Sequence, residues 1–153
     1  MLGGLLFALK LAMAQLPNLE PVSLLVMLLA VVFGWRSLAA VYVYVGLEIL
    51  LWGPGLWNVP YLYVWALLFA ASRALRRMRS PLGWAALSGG FGLLFGALCA
   101  PVQLAAGGWA AAVSWWIAGI PWDLAHGAGN FVLALALFPL LRRRLEFLGR
   151  ERP

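Results

Sequence analysis

Charged side chains are scarce in this sequence: Asp, Glu, Lys and Arg together make up 10% of it, where a water-soluble domain carries about 25%. Hydrophobic residues reach 65%, and a chain of 153 residues has no interior large enough to hide that surplus. The expected solvent is lipid. At about 20 residues per crossing, the length allows roughly six passes with short connections. It leaves no room for a separate ATPase, Rossmann or DNA-binding module.

Chemically versatile residues are nearly missing too. There is one His and one Cys, so an internal disulfide and a Cys/His metal set are both excluded. Cys99 lies in the apolar run 92–106 and reads as a small packing residue. No G-x-x-x-x-G-K-[ST], H-E-x-x-H or G-x-S-x-G occurs, which removes the usual phosphate cradle, zinc-protease pair and nucleophile elbow. The expectation is a protein that is not an enzyme and that holds no cofactor and no metal. The formal charge of +6 does not point to nucleic acid, because the Arg residues sit in clusters at the ends of apolar segments, where they act as topology signals.

What is present is apolar sequence cut into six segments by charges, prolines and glycines: Leu2 to Gln15, Val22 to Trp35, Leu38 to Trp52, Tyr61 to Ser72, Leu82 to Ala105 and Trp122 to Leu141. Basic connections alternate with uncharged or acidic ones. Arg36, the Arg73 to Arg79 cluster and the tail from Arg142 belong inside by the positive-inside rule. An even number of passes satisfies all of them, with both termini cytoplasmic. The reading is an all-α integral membrane bundle of about six transmembrane helices, one domain over 1–153, ending in a basic cytoplasmic tail, 142–153. Residues 106–120 form an outer loop or interfacial lid: Trp109, Trp115 and Trp116 suit the membrane interface, and a short interfacial helix is expected before the last span. Ala12-Met13-Ala14 imitates a signal-peptide cleavage site, but no positive n-region precedes it and Lys10 falls in the apolar core, so the segment is expected to remain as the first helix.

Against this background a few polar residues stand out. Glu48 lies about 18 Å from the inner end of the third helix at ~1.5 Å per residue, a depth at which a carboxylate marks a pathway or a bound partner. Two roles fit it: a ligand contact, or an ion pair with Lys10. Asp123, His126 and Asn130 are spaced three and four apart and share one helix face. Asp123, just after Pro121, also suits the first turn of a helix. Three polar side chains along one stripe of a membrane helix point to a pocket. The outer loops and their flanks add Asn18, Glu20, Trp57, Asn58, Tyr61, Tyr63, Trp115, Trp116 and Trp122. Tyr and Trp here serve as an interfacial belt, or as walls for a flat heterocycle when a few fixed polar groups accompany them. Acidic groups without a basic one on that side favour a neutral or cationic ligand.

Small residues form two stripes. Ser88, Gly92, Gly96 and Ala100 step by four along the fifth segment and allow a neighbouring backbone to approach. Ala8 and Ala12 make one such step on the first, with Lys10 on roughly the opposite side.

Over nearly all of its length the chain resembles the substrate-binding S component of energy-coupling factor (ECF) transporters. The resemblance is carried by about six short helices with termini inside and by Ala8-Leu-Lys-Leu-Ala12. It also rests on the loop Leu16-Pro-Asn-Leu-Glu-Pro21, the run Tyr61-Leu-Tyr-Val-Trp65 and the closing run from Ala118 to Phe131. It implies uptake of a vitamin or similar small heterocyclic nutrient across a bacterial plasma membrane: this subunit captures the substrate outside, and a membrane coupling protein with two cytoplasmic ATPases drives transport. In that family an Ala-x-x-x-Ala pattern on the first helix meets the coupling protein, which carries over to Ala8 and Ala12. Substrate residues vary within the family. Glu48, Asp123, His126, Asn130, Asn18, Trp57, Asn58 and Trp116 are therefore candidates on polarity and position alone. Two other classes remain open: a non-catalytic membrane scaffold or assembly protein, and a small membrane enzyme using Asp123 and His126 as an acid/base pair.

Overall fold

The computed structural model describes residues 1–13 and 21–150, with side chains as far as Phe147; Asn18 and Glu20 lie outside the described residues. All regular structure among these residues is helical. The elements are α1 (Leu2–Ala12), α2 (Val22–Leu28, continued by a π-helical turn, Leu29–Phe33), α3 (Leu38–Trp52), α4 (Asn58–Ala74), α5 (Pro81–Leu93) and α6 (Phe95–Arg150). α6 is two helices: at Gly108 the backbone leaves helical geometry with φ of 76°, a left-handed conformation that glycine alone adopts readily. The chain reverses there, giving a short arm, 95–107, and a long arm, 109–150.

Neighbouring segments run in alternating directions. α1 and α3 are parallel: a Cβ on Gly3 would lie 2.6 Å from the Ala40 carbonyl oxygen, and one helical stretch further along, Lys10 meets Glu48. α4 and the α5–short-arm run are antiparallel, since Trp65 meets Phe91 and Tyr61 meets Phe95. The long arm returns along α5: Phe138 stacks on Trp84 with ring centres 4.4 Å apart, and a Cβ on Gly92 would sit 2.8 Å from Gly127 backbone atoms. The small-residue stripe Ser88–Gly92–Gly96 thus serves close packing inside the bundle.

The arginines gather at one end. Ser80 caps α5 by accepting the Gly83 amide, with Pro81 at the first helical position. Just before it, Arg142 of the long arm donates to the carbonyls of Arg76 and Met78 and pairs with Glu146. Gly34 approaches Arg73. This basic end also holds the start of α1, through Gly3 against Ala40.

Three boundaries differ from those expected. The stretch 106–120, read as an outer loop or lid, is helical on both sides of Gly108; its Ala-rich composition favours helix, and the reversal needs only the Gly107–Gly108 pair. Among the described residues there is no separate interfacial helix before a last span opening at Trp122, because the long arm passes through Pro121 without a break in the helix. The segment Leu82 to Ala105 is broken at Leu94, which has φ of −95° and ψ of 0°. Four glycines between 89 and 96 leave this region weak in helix propensity.

Two stretches, Trp35–Trp52 and Pro81–Phe147, are long and apolar enough to cross a membrane; Leu2–Ala12 and Val22–Phe33 are apolar but shorter.

Candidate functional site

Tyr61 and Trp65 lie one turn apart on the same face of α4, at the end away from the arginines, with ring centres 5.7 Å apart. Phe95, the first residue beyond the break at Leu94, packs against both and against Phe91. The His126 imidazole from the long arm completes this ring cluster edge-on to Phe95, at 5.1 Å.

Above these rings lies a cavity of about 380 Å³, within the ~300–1,000 Å³ typical of small-molecule sites. Its walls come from α4 (Tyr61, Trp65), the short arm (Phe95, Gly96, Cys99) and the long arm (Trp115, Ala118, Gly119, Trp122, Asp123, His126). No Lys or Arg is among these lining residues.

The break at Leu94 has a chemical consequence. A helix start leaves its first amides without intrahelical acceptors, and here the Gly96 amide donates to both Asp123 oxygens, at 3.0 and 3.1 Å. Asp123 therefore caps a helix other than its own. A Cβ on residue 96 would lie 2.5 Å from Oδ2, so any side chain there would push the carboxylate aside. His126, one turn further along the long arm, is 8% exposed. Its imidazole has no hydrogen-bond partner among the described residues.

The other candidates are placed differently. Asn130 shares the stripe but turns from the cavity: its amide donates to Ser23 Oγ at 3.0 Å and to the Ser88 carbonyl at 3.4 Å, tying α2, α5 and the long arm together. Glu48, 1% exposed, pairs with Lys10 at 2.6 Å, and its second oxygen is buried without a partner among the described residues. The ion-pair alternative is thus the observed arrangement. The Lys10 ammonium also lies 5.9 Å and 5.8 Å from the Tyr44 and Tyr61 ring centres, so this pair stands behind the Tyr61 wall of the cavity. Asn58 closes the turn before α4 by accepting the Gly55 amide at 2.7 Å. Trp57 packs edge-on to Tyr61, 5.7 Å away, outside the lining. Trp116 faces an apolar groove between the two arms, with Ala97, Pro101, Leu104 and Trp109, while its neighbour Trp115 faces the cavity. Ala8 and Ala12 are both exposed on α1. Asn18 lies outside the described residues.

Sequence reasoning did not find Trp65, Phe95, Gly96 or Cys99 as lining residues. Trp65 could have been found, since it stands four residues after Tyr61 and so on its face. Phe95 and Gly96 owe their places to a break that no Pro or charge announces.

The chain matches no family model, no curated protein and no solved structure.

Proposed function

We propose that this chain is a multi-pass plasma-membrane protein and the substrate-capture subunit of an ECF-type importer, binding a vitamin or related small heterocyclic nutrient for ATP-driven uptake by partner subunits. In this reading α1, α2 with its π-helical turn, α3, α4, the α5–short-arm run and the long arm are six crossings, and the arginine-rich end is cytoplasmic. Lipid covers the apolar exterior: only 28% and 39% of the most apolar windows of Trp35–Trp52 and Pro81–Phe147 are buried, which would leave Leu, Trp and Phe side chains facing water in a soluble protein.

The observation that carries the proposal is the cavity of about 380 Å³, walled by five aromatic rings and set with one carboxylate and one imidazole that has no hydrogen-bond partner among the described residues. Its residues lie at the opposite end of α4 and of the long arm from the arginines, so in this reading it opens toward the outside. No phosphate-binding loop accompanies it, in keeping with a subunit that borrows its energy. Ala8 and Ala12, exposed on α1, supply the surface for the coupling protein. Ligand affinity that differs between outward and inward states provides the coupling.

The test is binding and transport measured separately. Purified protein in detergent is expected to bind one member of a vitamin panel without ATP, and vesicles holding the protein alone are expected not to accumulate it. Unaided accumulation, or binding of no compound, contradicts the proposal.

A further inference from the structure

We infer, resting on the capture reading above, that the ligand presents an N–H donor beside a hydrogen-bond acceptor, as cyclic amides and amidines do, and carries no carboxylate or phosphate. Asp123 and His126 stand three residues apart on one helix, each more than nine-tenths buried and each facing the cavity. The carboxylate receives one amide N–H, shared between its oxygens, and a carboxylate has about four acceptor positions. Acceptor capacity toward the cavity remains. The imidazole supplies one donor and one acceptor nitrogen when neutral, and both are unpartnered among the described residues. Side by side, the two groups complement an edge that donates to Asp123 and accepts from His126.

The walls fix the rest of the shape. Trp65, Phe95, Trp115 and Trp122 offer ring faces and edges to a planar system. An acid group on the ligand would meet no cation in this lining. The Lys10 ammonium is held by Glu48 behind Tyr61, and a second anion beside the Asp123 carboxylate would be repelled.

The test uses matched probes on the purified full chain, with affinity read by calorimetry. Uracil and xanthine carry the N–H and carbonyl edge; 1,3-dimethyluracil and caffeine lack the ring donors; orotate adds a carboxylate to uracil. The inference expects the parent rings to bind at least tenfold more tightly than the methylated and carboxylated members. Asp123→Asn, which keeps an oxygen for the Gly96 amide, is expected to weaken the parent rings tenfold to a hundredfold, about what loss of a hydrogen bond to a charged group produces. Its melting temperature should stay near that of wild type. Any compound retained from cells, identified by mass spectrometry, is scored by the same edge. Tighter binding of orotate or of the methylated rings, or retention of an acidic compound, overturns the ligand class and leaves capture standing. Absence of any bound or retained compound overturns capture itself.

Discussion

The Gly96 amide and the Asp123 carboxylate meet at 3.0 and 3.1 Å, joining the start of one helix to the middle of another across the cavity wall. Helix α5 stops at Leu93 and a new helix starts at Phe95, whose first amides need acceptors. Asp123 provides one while its oxygens stay at the cavity surface. One residue thus closes the bundle and charges the site.

Gly96→Ala tests that contact. The added Cβ would fall 2.5 Å from Oδ2, so the carboxylate or the short arm has to move. Loss of the cap and the local repacking together are expected to cost about 1–3 kcal/mol, read as a lower melting temperature in detergent, with ligand affinity falling as well. Unchanged stability and affinity would show that the close approach is dispensable.

The Lys10–Glu48 pair should behave as a buried ion pair. Lys10→Met leaves the buried Glu48 carboxylate uncompensated and is expected to cost about 3–5 kcal/mol; Glu48→Leu, which orphans a lysine that is 16% exposed, is expected to cost less, and the double substitution recovers most of the larger loss. The measurement is a double-mutant cycle on thermal or denaturant unfolding. Additive losses in the two single variants would mean that the residues do not act as a pair.

Asn130 separates packing from binding. Asn130→Leu removes the links to Ser23 and Ser88 and is expected to destabilise by about 1–3 kcal/mol without changing ligand affinity, because the side chain lies outside the cavity. A selective loss of affinity at unchanged stability would place it in the site after all.

Ala8→Trp and Ala12→Trp probe the exposed side of α1. Both positions are open, so stability and ligand binding are expected to hold, while uptake in vesicles containing the coupling protein and ATPases falls at least tenfold. Full uptake would remove α1 from the partner surface.

The helical class and the clustering of arginines at one end were legible in the sequence because each depends on composition and on local periodicity. Asp123 and His126 were legible as a pair for the same reason, three residues apart on one face. Asn130 shared their stripe, yet its neighbours Ser23 and Ser88 come from elements far away in the chain, and only packing reveals that they take its amide N–H groups. A helix was expected within 106–120, but its continuity with the last span was hidden for a local reason. Trp-rich sequence suits an interface, but the run Trp109-Ala-Ala-Ala-Val-Ser-Trp115-Trp116 does not by itself tell a surface helix from the continuation of the next one. The left-handed glycine at 108 decides the matter. Phe95 and Gly96 reached the cavity through a helix break at Leu94, a residue with no breaker chemistry of its own.

The most direct measurement is mass spectrometry of small molecules released from purified protein, wild type against Gly119→Trp. Gly119 lines the cavity, and a Cβ there meets nothing within 4 Å, so an indole can enter without disturbing the helix. Wild type is expected to release a planar heterocycle in near-stoichiometric amount, and Gly119→Trp, melting at the same temperature, almost none. Equal retention by both proteins, or none by wild type, would contradict the cavity as the place of capture.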